Sequence, residues 1–350
     1  MQYFLNFILS GRGAIVKVSV VICNFNHGKF VGESINSVLR QTLPAHQIIV
    51  VDDGSTDDSR EIMSEFGSSV QPIFKVNGGQ RSAYNAGYEA VRGQLVIFLD
   101  ADDYLQPEAL EEVVRCWRPQ YAKLHFFLDI VDEESRPLGS RTPRVLSAGD
   151  FGMSARQFGY MHNSAPASGN VYSVEKIRPL FPLPVSDRGD RHGADFFLIY
   201  GSALLGSIGK IAASLGRYRV VGANRMEAVF FGNAARSSNE PVRQLAREAE
   251  FIDWVQARLQ LDLSLDHRML GASVSKLVIG GLGLAGELRG ERLPTLLTEL
   301  GRLARALAMD RDRAPLDKLA MFAWALIVAI LPPSKLRIKV IRAGCNQASR

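Results

Sequence analysis

Cysteine is scarce and poorly spaced. The 350-residue chain has three, Cys23, Cys116 and Cys345. They are odd in number and far apart, which excludes a disulfide framework, and no CxxC pair signals a zinc site. A reducing cytoplasm suits that usage. Long apolar runs are also missing, since no stretch reaches the ~20 residues that span a bilayer. The opening "MQYFLNFILS" has no basic residue ahead of its apolar run, and Asn6 interrupts that run, so it makes a poor secretory signal. No internal repeat is evident.

What is present is a chain with 47% hydrophobic residues, enough for a sizeable core in two domains or in one domain with a large extension. The net charge of +5 is uneven. From Arg225 onward there are 19 Lys/Arg against 13 Asp/Glu, a balance of +6, which leaves the first two thirds near −1. A basic back half suits an acidic surface such as anionic lipid, or simply solubility. The nearest approach to a membrane segment is "LAMFAWALIVAILPPS", Leu319 to Ser334, which is uncharged and followed by Lys335, Arg337, Lys339 and Arg342. It reads either as an interfacial segment or as a buried core helix.

The first 120 residues alternate between two periodicities. Val18–Ile22, Ile48–Val51, Val70–Val76 and Leu95–Leu99 read as strands. Between and after them the spacing predicts helices near Phe30–Leu39, Ser59–Phe66, Ala83–Val91 and Pro107–Trp117. Alternation of this kind implies a mostly parallel sheet with helices on both faces, and ligands there bind beyond the carboxyl ends of the strands. The stretch from Asp132 to Pro166, rich in Ser, Gly, Pro and Arg, reads as a long loop or short strands. Gly169–Val174 and Tyr218–Val221 read as extended, and Ala194–Gly206 as helical. From about Pro241 to Leu331 the pattern is helical almost throughout. Gly, Asn and Ser cluster near Asn224–Asn239 and mark a boundary.

Three strand ends carry polar chemistry. The first ends in Asn24, Phe25 and Asn26. The second gives "VDDGSTD", with Asp52, Asp53 and Gly54; alone this is ordinary turn and helix-cap chemistry. The fourth gives "FLDADD", with Asp100, Ala101, Asp102 and Asp103. Three carboxylates in four positions repel one another, and Asp100 and Asp102, at alternate positions of an extended chain, can point at one hard divalent cation. Between them lies "NGGQRSAYNAG", where Gly78 and Gly79 free the backbone and a helix starts near Gln80. There backbone N–H groups and Arg81 could meet an anion; the plain alternative is a glycine turn.

The order of "VSVVICNFN", "IIVVDDGSTDDS", "NGGQRSAYNAGYEAVRGQLVIFLDADD" and "ADFFL" resembles the family 2 glycosyltransferases, inverting enzymes of the GT-A type. The strong resemblance covers about Lys17 to Leu110 and a weaker one continues to about Asn224. It implies a Rossmann-like doubly wound α/β sheet over 17–235, with a nucleotide-sugar half at about 17–120 and an acceptor half at about 121–235. Residues 1–16 would be a lead segment, and 236–350 a helical C-terminal extension that either associates with a membrane or packs as core. Phe25 then occupies the aromatic position beside the nucleobase, between Asn24 and Asn26. Asp53 takes the base edge, while Asp52 and Gly54 shape the pocket. Asn77, Gly79 and Asn85 fit the intermediate motif. Asp102, with Asp100 before it, matches the metal-binding DxD acid, so the implied cofactor is Mn²⁺ or Mg²⁺. Asp195 is the implied base and Asp190 the reserve.

Departures accompany the resemblance. Cys23 replaces the usual Pro, Tyr84 a common Arg, Ala194 a common Glu, and Val221 the histidine of an RxHxxN-like motif that keeps Arg219 and Asn224; His192 could substitute for that histidine. The QxxRW signature of processive synthases is absent, so one sugar per encounter is expected. The implied partners are a nucleoside-diphosphate sugar and a glycan or lipid-linked acceptor in surface polysaccharide or lipid-linked glycan assembly. The location would be cytoplasmic, peripheral at the inner face of the membrane, with no nucleic-acid partner. Two rivals remain: a non-catalytic member that binds sugar nucleotide or scaffolds a complex, and a sugar-nucleotide pyrophosphorylase, which has only Gly28 and Lys29 to offer as a phosphate loop. A formal GxGxxG at Gly281–Gly286 lies in a helical region and reads as small residues for helix packing rather than a dinucleotide site.

Overall fold

A computed structural model describes residues 16–185, 193–220, 240–261, 263, 269–285 and 296–345. Residues 1–15 of the lead segment, Asp190, His192, Val221, Asn224, the 224–239 boundary and Gly286 lie outside the described residues.

The amino-terminal half alternates as its periodicity requires. In order come β1 (Val18–Asn24), α1 (Gly28–Leu39), β2 (Gln47–Asp52), α2 (Ser59–Glu65), β3 (Gln71–Phe74), α3 (Gln80–Glu89), β4 (Leu95–Asp100), β5 (Tyr104–Leu105) and α4 (Ala109–Cys116). Successive strand residues face opposite sides. Val18, Val20 and Ile22 pack with Val31, Ile35 and Val38 of α1, whereas Val21, Ile49 and Val51 pack with Ala83 and Tyr84 of α3. Burying each such aliphatic side chain contributes roughly 1.5–3 kcal/mol, and both faces of the sheet are covered. Helix α3 lies very close: a Cβ at Gly87 would sit 2.4 Å from Val21 Cγ1, so Gly87→Ala would push the helix off β1.

The second half adds β6 (Tyr121–Val131), β7 (Pro137–Thr142), α5 (Gly152–Phe158), β8 (Asn170–Ser173), α6 (Val174–Ile177), α7 (Ala194–Ser202) and β9 (Ser207–Arg219). Among the described residues one nine-stranded sheet runs β3-β2-β1-β4-β8-β6-β9-β5, with β7 on β6. Strands β1 to β4, β6 and β9 point one way, and β8 runs antiparallel to both its neighbours. This is the expected mostly parallel α/β sheet.

Strand β6, at the heart of the second half, has no counterpart among the sequence-predicted strands. "YAKLHFFLDIV" carries Lys123 and His125 within an apolar run, yet both are fully buried at 0% exposure. Lys123 Nζ donates to Ser164 Oγ at 2.6 Å and meets His162 Nε2 at 2.9 Å; His125 Nε2 meets the Ser147 carbonyl at 2.8 Å. The groups that satisfy them are 22 to 41 residues away, so a local pattern cannot reveal them. Within 132–166 the strand β7 fits the short-strand alternative while the helix α5 was not anticipated, and β9 extends 11 residues ahead of the predicted "YRVV" start.

The C-terminal region is helical, as predicted: α8 (Glu240–Leu259), α9 (Ala272–Ala285), α10 (Leu296–Met309), α11 (Pro315–Ile330) and α12 (Lys335–Cys345). Helix α8 joins the core of the sheet domain through Phe251, Ile252 and Val255. Helices α9 to α12 enclose a separate core that includes Leu303, Ala325 and Ile341. The described part of the GxGxxG run lies within α9, where a Cβ at Gly283 would come within 2.7 Å of Ile341, so the glycine serves helix packing. Among the described residues no helix is long and apolar enough to cross a membrane. Helix α11 is core on one face, through Met321, Ala325 and Val328, while Leu316, Leu319, Ile327 and Ile330 are exposed.

Candidate active site

The strand order brings the polar strand ends together. Strand β1 lies between β2 and β4, and the chain winds outward to β3 before crossing back to β4, a topological switch point. The register aligns Asn24 with Asp52 and Cys23 with Asp100. Backbone bonds extend the alignment past the strands: Asp53 N–H to the Asn24 carbonyl at 2.9 Å, and Ala101 N–H to the Cys23 carbonyl at 3.1 Å.

On the β2 side, Asn24 Nδ2 donates to Asp52 Oδ1 at 3.0 Å and to Ser55 Oγ at 3.1 Å. Burial alone would raise the Asp52 carboxyl, but hydrogen bonds from Ser55, Arg60 and Asn24 hold it below its ordinary value. Asn24 Oδ1 is buried and has no partner among the described residues. Asn26 adopts φ +56° and accepts the Thr56 N–H at 2.8 Å, locking the loop after β1 onto the loop after β2. Phe25 stands between these anchors and is 44% exposed, an aromatic residue at the surface where a base could stack.

Asp53 is the hub of the next loop. Its carboxylate accepts from Lys75 Nζ at 2.5 Å and from the Gly78 and Gly79 N–H groups at 3.0 and 2.7 Å. Gly54, at φ +82°, leaves only 2.6 Å between a would-be Cβ and Asn77 N, so glycine is required where the two loops touch. Asn85 lies further off, its amide pairing with both the N–H and carbonyl of Leu183. Arg81 faces the C-terminal region. It is 2% exposed, makes a two-point ion pair with Glu250 at 2.5 and 2.8 Å, and lies over the Phe197 ring at 4.3 Å.

On the β4 side, the acids occupy a turn rather than the extended chain expected from sequence, with Asp103 N–H donating to the Asp100 carbonyl at 3.0 Å. Asp103 turns inward to Ser168 Oγ at 2.6 Å and the Arg219 N–H at 2.9 Å. Buried Ala101 fills the bend, and the chain leaves through β5, which pairs with β9. Burial, followed by the nearby carboxylates of Asp102 and Asp195, pushes the Asp100 carboxyl well above its ordinary value. A divalent cation is the species such crowding suits. No cluster of three His, Cys, Asp or Glu forms a complete cage among the described residues. Asp100 and Asp102 supply oxygen donors of the kind hard divalent cations take, short of a full coordination sphere.

Asp195 sits in the first turn of α7. Burial raises the Tyr172 and Tyr200 hydroxyls, and the Asp195 carboxylate is the next cause for each, so this acid lies among Asp100, Tyr172 and Tyr200. Gln80, a residue the sequence reading did not single out for the site, connects the loops. Its Oε1 accepts from the Gly193 and Ala194 N–H groups at 2.9 and 3.1 Å, and its side chain hydrogen-bonds to Asp100. Its contacts lie 20 or more positions away, so no local signal marks it. Tyr84 is buried and stacked on Phe98 at a centroid distance of 4.2 Å, and its hydroxyl has no partner among the described residues. At α1, Asp57 Oδ2 accepts the Gly28 N–H at 2.8 Å. The protein's own carboxylate fills the anion position that a pyrophosphorylase loop would need. A cavity of about 260 Å³ opens against Asp195.

Comparison with known proteins agrees with this geometry. Residues 19–160 match the description "Glycosyl transferase family 2". An uncharacterized glycosyltransferase of Nostoc is 35% identical over 218 residues, 60% of this chain and 66% of that protein. The uncharacterized glycosyltransferase EpsJ of Bacillus subtilis is 41% identical over 91 residues, 25% of this chain and 26% of the relative. The chain thus spans less than two thirds of either relative. Among solved structures, S. aureus TarS residues 1–349 in complex with UDP-GlcNAc superposes with TM-score 0.52 at 16% identity, covering 94% of this chain and 91% of that one.

Proposed function

Residues 19–160 belong to glycosyl transferase family 2 within a GT-A type fold, and from that premise we propose that the chain is a metal-dependent inverting glycosyltransferase. It would move one sugar from a nucleoside-diphosphate sugar to a hydroxyl of a glycan or lipid-linked acceptor. The observation that carries this reading is the register of β2, β1 and β4, which aligns Asp52, Asn24 and the start of the Asp100–Asp103 turn. TarS is described with UDP-GlcNAc and with UDP, which makes a UDP-sugar the donor class to try first.

In this mechanism Phe25 stacks on the nucleobase and the Asp53 loop borders it. Asp102, with Asp100, would hold Mn²⁺ or Mg²⁺, which when bound neutralises charge on the leaving diphosphate. Asp195 accepts the proton of the acceptor hydroxyl, whose oxygen attacks the anomeric carbon opposite the leaving group, so configuration inverts. A positioned base of this kind contributes typically ~10²–10⁴-fold. The exposed apolar face of α11, with Lys318, Lys335 and Lys339 near it in sequence, would rest on the inner face of an anionic membrane.

The test is a screen of nucleoside-diphosphate sugars with Mn²⁺ or Mg²⁺, read as nucleoside diphosphate released with and without acceptor. Metal-dependent release from one donor, with inverted product, is expected. If no donor binds or turns over, the non-catalytic reading replaces this one.

A further inference from the structure

Helix α7, which carries Asp195 in its first turn, is short and almost wholly apolar, with Phe196, Phe197, Leu198 and Ile199 buried. Apolar contact favours burial without favouring one orientation. The rotation of such a helix is therefore set by directional bonds. Its N-cap is Gly193, which has no side chain to cap with, and Gln80 of α3 takes that place.

Arg81, the next residue of α3, supplies a second set of directional bonds. Its Nη1 and Nη2 donate to Glu250 Oε1 and Oε2 at 2.5 and 2.8 Å, and Nη1 also donates to the Pro184 carbonyl at 3.2 Å. The same guanidinium lies 4.3 Å from the Phe197 ring centroid. Phe197 is two residues after Asp195, and its ring meets Phe251 and Trp254 of α8 at centroid distances of 5.5 and 5.2 Å. One ring of α7 thus touches both α3 and α8, and the Arg81–Glu250 pair joins those two helices directly.

Arg81 is 2% exposed and Glu250 29%. An ion pair this far from water is a poor source of stability, because desolvation offsets most of the attraction and apolar residues of similar volume do as well. What it supplies is direction, since the planar guanidinium fork meets a carboxylate at two points. Resting on the reading of Asp195 as the base, we propose that Arg81 and Glu250 are positioning residues for it. Their ion pair clasps α8 to α3 across α7 and fixes the rotation of α7, so that Asp195 faces the cavity. The family 2 match ends at residue 160, and Glu250 lies beyond it. The first C-terminal helix therefore has a part in placing the base.

Three variants of the full chain test this: Glu250→Gln, Arg81→Gln and the two combined, the last leaving no charge buried alone. Amide hydrogen exchange is read by mass spectrometry. Peptides over Ala194–Ser202 should exchange about tenfold faster in every variant, while those of β1 and β4 keep the parent's rate. Turnover is read as UDP released to water from UDP-GlcNAc, UDP-glucose and UDP-galactose with Mn²⁺. Its kcat should fall on the order of 10²-fold, the effect of a misplaced base, with KM and the calorimetric affinity for UDP unchanged. The double variant should be no slower than the single ones, because the two residues act as one unit. It should melt above Glu250→Gln, which separates placement of the base from stability. Parent-like exchange over α7 overturns the inference. So does parent-like kcat in variants that only melt lower, or a double variant whose loss is the product of the single losses. If the parent releases UDP from no donor, the glycosyl-transfer reading falls instead, and exchange over α7 still decides whether the clasp holds that helix.

Discussion

Arg219 Nε donates to the carbonyl oxygen of Asp102 at 2.8 Å, so the acid proposed for the metal hangs from a guanidinium 117 positions later in the chain. The same guanidinium reaches the Asp132 and Glu133 carbonyls, Ser135 Oγ and the Glu33 carboxylate, and lies over the Phe30 ring at 4.7 Å. Arg219 is 1% exposed and holds the turn from behind. Its place in an RxHxxN-like motif is explained by this structural work.

Arg219→Lys should therefore lower stability by about 3 kcal/mol, because an ammonium cannot satisfy the fan of acceptors a buried guanidinium serves. Thermal unfolding checks this. Metal-dependent UDP affinity should fall with it, since the Asp102 turn loses its support; unchanged affinity would show that the turn holds its shape without Arg219.

Asp102→Asn keeps the shape of the side chain and removes its charge. Calorimetry with UDP should show the metal-dependent part of binding lost, with the fold intact by circular dichroism. Binding that stays metal-dependent would move the metal assignment away from Asp102.

Asp195→Asn should reduce turnover by ~10²–10⁴-fold while leaving donor binding in place. Gln80→Ala tests how the base is positioned. It removes the acceptor of the Gly193 and Ala194 N–H groups, a capping interaction of about 1 kcal/mol. Turnover should drop with little change in donor affinity. Wild-type turnover in Asp195→Asn would transfer the role of base to another residue.

Acid should destabilise the protein through His125 and His162. Burial, then the charge of Lys123, holds both rings well below their ordinary value, so the folded state keeps them neutral. The unfolded chain takes up protons below about pH 6.5, and the folded chain binds fewer. Stability contributed by this difference is whole above that pH and declines as pH falls below it, by up to about 1.4 kcal/mol per unit for each ring. Urea midpoints at pH 7.5 and 5.5 should show the loss, and His162→Gln should flatten it. Identical slopes in parent and variant would remove His162 from the account.

Much of the nucleotide half was legible beforehand because its signals are local. Short apolar runs followed by helical spacing specify β1 to β4 and their helices, and the parallel sheet then puts Asn24, Asp52 and Asp100 at one edge. The second half was less legible. Lys123 and His125 break the apolar run of β6 as read along the chain and are satisfied only by Ser147, His162 and Ser164. Arg81 read as an anion binder because its neighbours are glycines, yet its partner is Glu250, 169 positions away.

The sequence by itself determined the order of strands and helices from β1 to α4, the acids at the strand ends and the glycine where the Asp53 and Asn77 loops touch. Each of those follows from periodicity or from the backbone freedom of a few adjacent residues. Only the tertiary structure decided that Gln80 joins the start of α7 to Asp100, that Arg219 supports Asp102, and that the C-terminal helices wall the cavity at Asp195. Those outcomes depend on buried polar groups finding partners across the fold, and hydrogen bonds between residues a hundred positions apart leave no pattern along the chain.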